Sequence, residues 1–575
     1  MKRIISVLTV AVMLITLLGS CGKKPAQDTD SEQTSNSQNE DSQNSPNKAQ
    51  GEGSDSNSNT STDDQSKDNG DKNQTGGKAE GNDKTQNNGK TPSGDNNTQN
   101  AGSTTPGGND NTPSDSYVPP VTSTDDPGDI DPDEIGHFES DGEIDTRYEG
   151  KNDNLPYIDK AETTVSDFEI TADNYDEKKL TLPIMKIETG NGKDITSKTE
   201  YTGATVSISN TLKNHSLGAT AVDVRGRGNS TWSYFDKKAY KLKFTVKTDL
   251  FGMGAAKKWV LLANALDESM MRNYLAFNLG KALGLEFTSD CQFLNLYLNG
   301  EYKGVYLLCE QVQEGSSRVN INTSPIGQVD TGYLLEGINN ATPVDYKTFR
   351  LDDVDGKTLG KEVSGNKVFT FIIKSPDILQ CTEEQKSFIS DYVAKANEAI
   401  FKKDWDGIQK YIDVDSFVNM FLLDEILLNQ DMGYSFYLYK KQGGKLYMGP
   451  AWDFDQACGS SSHGGSGYKG WFAGSELQWF TTLIEMPQFK ELVSKRYQEK
   501  KSAIRGMLDT IDNIVNKYSF DFAMSNYVFN TFGDPNRWRT MYEIASCKTY
   551  KDHIIYLKTW LTNRFIWMEH QLNVK

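Results

Sequence analysis

A long stretch of the 575-residue sequence lacks every large side chain that could form a hydrophobic core. Between Gly22 and Ser116 there is no Val, Ile, Leu, Met, Phe, Tyr or Trp, and most positions are Asn, Asp, Gly, Ser, Gln, Thr or Lys. Such a segment buries almost no apolar surface, so nothing offsets the entropy that an ordered backbone loses. The sequence therefore predicts a long disordered tether over residues 21–150. Residues 155–575 are rich in aromatic and aliphatic side chains and predict one folded domain.

Cysteine and histidine are scarce, which argues against several kinds of site. None of the six cysteines forms a CxxC pair, so a structural zinc site is not expected, and the five histidines show no spacing typical of a metal site or a catalytic triad. An odd number of cysteines follows position 21, so they cannot all pair with one another. Buried free thiols are the favoured interpretation, although an oxidising compartment would permit a disulfide that the sequence does not identify. These cysteines are Cys291, Cys309, Cys381, Cys458 and Cys547.

An excess of positive charge is also absent. The formal net charge is −19. A phosphate backbone requires a basic protein surface, so we expect no nucleic-acid partner. Solubility is the favoured explanation of the acidity.

The N-terminus resembles the signal of a bacterial lipoprotein. A short basic region precedes an apolar run from Ile4 to Leu18. This run is shorter than the roughly 20 residues that a transmembrane helix needs. The Leu-Gly-Ser-Cys sequence that ends at Cys21 then resembles a lipobox, in which a small residue precedes a cysteine that is diacylated. The resemblance implies a signal peptide over residues 1–20, lipidation of Cys21, export, and anchoring to the outer face of the cell membrane. The alternative is an ordinary signal peptide with an incidental cysteine.

The patterns in residues 155–575 predict an α+β domain whose N-terminal part is β-rich and whose C-terminal part is helical. Apolar residues alternate with a period of two from Tyr240 to Val246, which is typical of a half-buried strand. From Thr382 onwards the apolar spacing becomes helical. This order suits a two-lobed domain.

Local signals mark several turns and helix ends. Asn299-Gly300 predicts a hairpin in the β-rich part, and a second hairpin around Gly443-Gly444 interrupts the helical part. Asp267 and Asp415 are each predicted to cap the start of a helix.

A loop rich in glycine and arginine follows a short predicted strand. It reads Arg-Gly-Arg-Gly-Asn-Ser-Thr-Trp from position 225, and two glycines separated by one residue allow backbone amides to approach phosphate oxygens. Arg225 and Arg227 could add charge-assisted contacts. On the following predicted strand, Lys241 or Lys243 could reach the same phosphates. The competing interpretation is an ordinary turn between two strands.

Two segments that carry carboxylates flank the second predicted hairpin. Asp431 follows an apolar helix pattern, and Asp453-Phe454-Asp455 follows the hairpin. Protein kinases show the same order, in which one Asp orients the acceptor hydroxyl and the Asp of the Asp-Phe-Gly motif binds Mg²⁺. Phosphoryl transfer needs metal ions that neutralise the nucleotide phosphates, so carboxylates must converge from two segments. The alternative is that these acidic residues only end one helix and cap the next.

These motifs, in this order, resemble those of the CotH family, which is named after a spore-coat protein and described as secreted kinases with an atypical kinase-like fold. The resemblance runs from Leu182 to the C-terminal helices, and the Arg-Gly-Arg-Gly-Asn-Ser-Thr-Trp and Trp-Asp-Phe-Asp motifs are its most specific parts. The other shared segments are Lys237–Phe244, Trp259–Asn264, Met271–Asn273, Asn299–Tyr306 with Glu310, Gly332–Glu336 and Asn429–Asp431.

The resemblance implies a two-lobed, atypical protein-kinase-like domain that uses ATP and Mg²⁺ or Mn²⁺. Its partner would be a protein substrate, a Ser/Thr-rich secreted or surface protein. The resemblance assigns Asp431 as the catalytic residue and Asp453 as a metal ligand. Glu310 is assigned to the nucleotide site, with a structural ion pair as an equally favoured alternative. The other residues assigned to nucleotide binding are Arg225, Arg227, Asn229, Lys241 and Lys243.

The sequence departs from the kinase pattern in two places. Typical kinases have an Asn five residues after the catalytic Asp, whereas Tyr-Ser-Phe from position 434 occupies that neighbourhood here, which puts a second metal ligand in doubt. Asp455 replaces the glycine of Asp-Phe-Gly and is either a further metal ligand, which we favour, or a helix cap. Two other functions stay open: a non-catalytic surface adhesin or assembly factor with this fold, and a structural envelope lipoprotein. The presence of both Asp431 and Asp453 favours catalysis.

Overall fold

The computed structural model describes residues 154–574 apart from short gaps. The gaps are 167–168, 212–214, 324–327, 339–346, 360–368, 378–380, 434, 461–466, 474–476 and 534–541. The described residues form twelve β-strands and ten α-helices, with strands dominating up to Ser375 and helices after it. This confirms the predicted α+β class and the order of its two parts. The predicted signal peptide, the predicted tether and Cys21 lie outside the described residues.

Seven strands close into a barrel. They are β1 (Ile184–Thr189), β2 (Thr202–Ser209), β3 (Leu217–Arg227), β4 (Ala239–Thr248), β5 (Ala256–Leu262), β6 (Cys291–Leu298) and β7 (Glu301–Glu310). Around the barrel their order is β1, β2, β3, β4, β5, β7, β6. Neighbouring strands pair antiparallel except for β1 and β6, whose parallel pairing closes the barrel.

The barrel strands alternate between an inward apolar face and an outward face. On β4, Tyr240, Leu242 and Phe244 are buried in the barrel core, while the two lysines between them point outwards, as the pattern predicts. Val246 does not follow the prediction, because its side chain is 72 % exposed. The register of β4 against β5 shifts after Lys243, so the end of β4 does not continue the inward face.

A second, five-stranded sheet follows the barrel. It consists of β8 (Tyr333–Ile338), β9 (Thr348–Phe349), β10 (Thr370–Ser375), β11 (Ser435–Lys440) and β12 (Leu446–Met448). The spatial order is β12, β11, β8, β10, β9, and every pair is antiparallel. The predicted second hairpin is confirmed as β11 and β12, and β11 also pairs with β8 from the β-rich part.

The helices, the second sheet and the outward face of β5 and β7 share one large core, to which Val260 and Leu307 belong. Eight of the ten described helices follow β10 in sequence. None of the described helices is long and apolar enough to span a membrane. The helices are α1 (Ser230–Tyr234), α2 (Arg272–Leu283), α3 (Glu383–Phe401), α4 (Trp405–Tyr411), α5 (Val414–Leu427), α6 (Gln478–Ile484), α7 (Pro487–Arg505), α8 (Met507–Phe529), α9 (Tyr542–Ser546) and α10 (Tyr550–Gln571).

The predictions for two helix caps are wrong. Asp413, two residues before the predicted Asp415, has the extended backbone of a cap and accepts a hydrogen bond from the Ser416 amide at 2.9 Å. Helix α2 begins at Arg272 with Met271 at its cap position, so Asp267 lies four residues before the cap. It accepts the amide of Arg272 at 2.8 Å and forms a buried ion pair with the guanidinium of the same residue.

Candidate functional site

A cleft of about 360 Å³ lies where the barrel meets the second sheet. On the barrel side, Arg227 of β3 pairs with Ala239 of β4. The register of β4 against β5 places Leu262 of β5 on the other side of Ala239. Glu336 and Ile338 of β8 line the cleft from the second sheet. The cleft is therefore formed jointly by the β-rich part and by elements that the helical core supports.

Three carboxylates converge in this cleft. One oxygen from each of Asp431, Asp453 and Asp455 lies within 4.8 Å of the others. Asp455 is buried, and the other two side chains are partly exposed. The segments that carry them are separated by the β11–β12 hairpin, so their convergence is a product of the fold. Hard oxygen ligands at this spacing suit Mg²⁺ or Mn²⁺.

The end of α5 determines the position of Asp431. Leu428 caps this helix in the left-handed region with φ 49°, which turns the chain out of the helix. The Asn429 side chain then donates to the Asp424 carboxylate at 3.0 Å and accepts from the Asp431 amide at 3.2 Å. The side-chain amide of Gln456 donates to Asp431 Oδ2 and so links the first carboxylate to the segment that carries the other two.

Helix α2 holds the segment between the other two carboxylates. The Phe454 amide donates to Asn273 Oδ1 at 2.9 Å, and the Phe454 ring is buried in the main core. Arg272 donates through Nε to the carbonyl of Ala457 at 2.8 Å. Asp453 itself has φ 66°, a left-handed conformation that non-glycine residues rarely adopt. Such a conformation persists only where the surroundings impose it, as these contacts do.

The electrostatics of the cluster favour a bound cation. Burial raises the pKa of Asp453, Arg227 opposes this shift, and Glu336 adds to it. Burial, followed by the charges of Asp453 and Asp431, raises the pKa of Asp455 well above its usual range. Like charges brought together away from water disfavour ionisation, and a divalent cation would reverse that preference.

The glycine-arginine loop lines the same cleft as the carboxylates. Residues 227–231 all belong to the lining, and the guanidinium of Arg227 lies 5.5 Å from the Trp452 ring centroid. Gly226 allows Trp232 to pack against the strand, because a Cβ atom there would lie 2.2 Å from the indole ring. Gly228 adopts φ 92°, which favours glycine. The loop conformation therefore requires glycine at both positions, one for side-chain packing and one for its backbone angle.

A strip of positive charge continues from the cleft along the outward barrel face. Arg225 of β3 pairs with Lys241 of β4. This pair lies two residues along the strands from the pair formed by Arg227 and Ala239. Burial, followed by the charges of Lys258 and Arg225, lowers the pKa of Lys241 to about 8. Residues two positions apart on a strand are separated by about 7 Å, and an extended lysine side chain can span that distance. Lys241 is therefore placed to approach an anion in the cleft.

Comparison with known protein families gives the same assignment as the motifs. The family described as CotH kinase protein matches residues 224–568, more than half of the chain. This chain belongs to the CotH family. The match makes it a kinase-like protein and includes the loop, the three aspartates and all but the end of α10. No curated protein matches the chain.

Not every residue that the CotH resemblance assigns to the site reaches the cleft. Glu310 forms an ion pair with Arg318 and accepts the amide of Asp290 at 2.9 Å, and it is not among the residues that line the cleft. Burial raises the pKa of Glu310 to about 7, against the opposing charge of Arg318. The structure thus places Glu310 in the ion pair that was its alternative.

Lys243 lies further from the cleft than Lys241. Lys243 is two residues beyond Lys241 on β4, in the direction away from the cleft. Its ammonium group lies 5.3 Å from the Tyr201 ring centroid. Arg225 contacts the same ring at 5.2 Å. Asn229 lies in the loop that lines the cleft.

Three further polar residues line the cleft of this CotH protein and were not predicted from the sequence. Glu336 accepts from the Lys374 ammonium at 2.8 Å, Asn273 supports the Phe454 amide, and Gln456 supports Asp431. Glu336 and Asn273 stand in motifs that carried the family resemblance, which was the available signal. Nothing local distinguishes Gln456, whose role depends on the approach of Asp431.

Proposed function

We propose that this CotH protein is an ATP- and Mg²⁺-dependent kinase that phosphorylates Ser or Thr residues of secreted or surface proteins. One observation carries the proposal. Three carboxylates from two separate segments meet in the cleft that the glycine-arginine loop also lines. An adhesin has no need for three converging carboxylates, two of which are disfavoured from ionising in the absence of a cation.

The carboxylate cluster fits the implied metal ion. Asp453 and Asp455 offer hard oxygen ligands, and burial raises the pKa of both because the nearby Arg227 does not compensate for it. We assign these two residues as the ligands of Mg²⁺ or Mn²⁺. When bound, such an ion neutralises phosphate charge and polarises the phosphoryl group to be transferred.

Asp431 is assigned to the acceptor. Its carboxylate would accept a hydrogen bond from the acceptor hydroxyl and hold the oxygen toward the phosphoryl group. The Gln456 side-chain amide donates to the Asp431 carboxylate, and the Asp431 backbone amide donates to Asn429 Oδ1. Because positioning acts through geometry, a carboxylate held by a neighbour on an anchored backbone is better suited to this role than a mobile one.

Arg227, Asn229 and the positive groups next to them are assigned to the nucleotide. Arg227 and Asn229 line the cleft. Lys241 and Arg225 pair across β4 and β3 two residues from the cleft lining, and Lys243 lies two residues further along β4. Charge-assisted contacts of this kind are the usual means of holding phosphates.

Incubation of the purified full-length chain with labelled ATP and Mg²⁺ or Mn²⁺ tests the proposal. We expect metal-dependent transfer to a Ser/Thr-rich acceptor protein, and to Ser or Thr within residues 22–116 of the chain itself. Chelation of the metal should stop transfer. A chain that binds no nucleotide by calorimetric titration would refute the kinase assignment and leave the adhesin or assembly role.

We also propose that the protein is exported and held to the outer face of the cell membrane by lipid attached to Cys21. The lipobox-like sequence supports this proposal. Cys21→Ser should release the protein from the membrane fraction, because the acylated side chain is the expected anchor. Fractionation and immunoblotting measure the change, with Cys381→Ser as the control that should stay membrane-bound. Full membrane retention of Cys21→Ser would contradict lipid anchoring.

A further inference from the structure

Two cysteines lie opposite each other on neighbouring barrel strands. Strands β6 and β7 pair antiparallel, and their register places Cys291 directly across from Cys309. Both are free thiols, with Cys309 buried and Cys291 half-buried. This pair is separate from the carboxylate cluster and from the residues that line the cleft.

The hydrogen bonds beside the pair determine how closely the thiols approach. Asp290 and Glu310 are the pair next to the two cysteines. The Glu310 amide donates to the Asp290 carbonyl at 3.1 Å, so this is a hydrogen-bonded pair. Hydrogen-bonded and non-hydrogen-bonded pairs alternate along an antiparallel ladder, which makes Cys291 and Cys309 a non-hydrogen-bonded pair. In such pairs the Cα atoms are about 4.5 Å apart and the side chains lie closest. A disulfide accepts Cα separations of about 4.4–6.8 Å.

Both cysteine side chains also point to the same side of the barrel wall. Phe293 and Leu307 are the next cross-strand pair on that face, and both belong to the main core. Cys309 belongs to the same core, and Cys291 packs against it. The register shift in this ladder lies beyond Asn295, so the pairing around the cysteines is regular.

We propose that Cys291 and Cys309 form a cross-strand disulfide when the chain folds under oxidising conditions. The oxidant is a small disulfide such as oxidised glutathione, or a disulfide-donating oxidoreductase. The thiolate of one cysteine attacks the donor disulfide and releases one donor thiol, and the second cysteine thiolate then attacks the mixed disulfide and releases the other. Two cysteine thiols are oxidised to one disulfide while the donor disulfide is reduced to two thiols.

The bond forms during folding rather than after it. Burial raises the pKa of Cys291 to about 12, and burial raises the pKa of Cys309 well above its usual range. The folded chain therefore holds little of the thiolate that exchange requires, whereas the unfolded chain has ordinary thiols. Once formed, the disulfide closes the β6–β7 hairpin and stabilises the fold. The other three cysteines of the domain stay reduced.

Refolding of the full-length chain in a buffer of reduced and oxidised glutathione tests the proposal. After alkylation and digestion, mass spectrometry should find the Cys291 and Cys309 peptides joined, about 2 Da lighter than the two free-thiol peptides together. The oxidised protein should melt a few degrees, about 2–5 °C, above the reduced protein. Alkylation of both cysteines after oxidative refolding, or a link from either one to another cysteine, would overturn the proposal.

Single variants provide the matched controls. Cys291→Ala and Cys309→Ala should each remove the link and the dependence of Tm on the redox buffer, whereas Cys381→Ala should retain both. If Cys309→Ala folds poorly, peptide mapping of the chain without substitutions still shows whether Cys291 and Cys309 are linked. None of these readouts requires nucleotide binding, so the inference stands or falls apart from the kinase proposal.

Discussion

Asp453→Asn should abolish metal-dependent nucleotide binding. The substitution replaces a proposed anionic ligand in the carboxylate cluster with a neutral amide, and Mg²⁺ strongly prefers carboxylate oxygen. We expect the Kd for ATP with Mg²⁺ to rise by about 100-fold or more, because the loss of a direct ligand exceeds the 10–100-fold effect of a supporting residue. Calorimetric titration with ATP, with and without Mg²⁺, measures the change.

Asp431→Asn should have the opposite profile. Nucleotide binding should stay close to that of the unmodified protein, whereas phosphoryl transfer should fall by about 10²-fold or more, since the carboxylate acts on the acceptor hydroxyl in the transition state. The hydrogen bond from the Gln456 side-chain amide helps to hold the position of this residue. A radiolabel transfer assay beside the titration separates the two roles.

Asp391→Asn is the matched control for both variants. Asp391 is an exposed carboxylate within α3 and lies outside the cleft, so its replacement should change neither binding nor transfer. All three variants should melt at the temperature of the unmodified protein within about 2 °C, because Asp431 and Asp453 are partly exposed cleft residues. Transfer at the unmodified rate by both cleft variants would show that the pair has been wrongly assigned.

Arg564→Met should destabilise the fold by about 3–5 kcal/mol. Arg564 and Glu425 form an ion pair with an N–O distance of 3.0 Å, and both side chains are fully buried. The same guanidinium donates to the carbonyls of Tyr468 at 3.0 Å and Gly470 at 2.7 Å. Removal of the arginine leaves the Glu425 carboxylate buried without its cation, which costs far more than the packing difference. This pair joins α10 to α5, the helix that leads to Asp431.

Urea unfolding measures the loss, and a double variant tests its cause. Arg564→Met combined with Glu425→Gln should recover part of the stability, because the uncompensated buried charge is gone. Lys402→Met removes an exposed ion pair with Glu398 and should leave the unfolding curve nearly unchanged. If Arg564→Met unfolds at the same urea concentration as the unmodified protein, the buried pair does not stabilise the contact between α5 and α10.

The family and the convergence of the acidic residues could be predicted because they depend on short motifs. The spacing of Asp431 and Asp453 around a hairpin pattern indicated that the two would meet, and they do. The partner of Glu310 could not be predicted, since Arg318 is one of many cations within reach of a flexible chain. The same holds for Asp267, where an ion pair with Arg272 replaced a predicted helix cap.

The sequence by itself determined the features that neighbouring residues control. Alternation in β4, the Asn299-Gly300 turn with φ 52° and 77°, and the start of α3 at Thr382 follow from local backbone and side-chain preferences. Only the tertiary structure decided the parallel closure of β1 on β6 and the pairing of β11 with β8. Strands far apart in sequence have many partners of similar apolar character, and the packing of the whole domain selects among them. Within the β6–β7 hairpin, only the structure revealed the register shift beyond Asn295 that sets Cys291 across from Cys309.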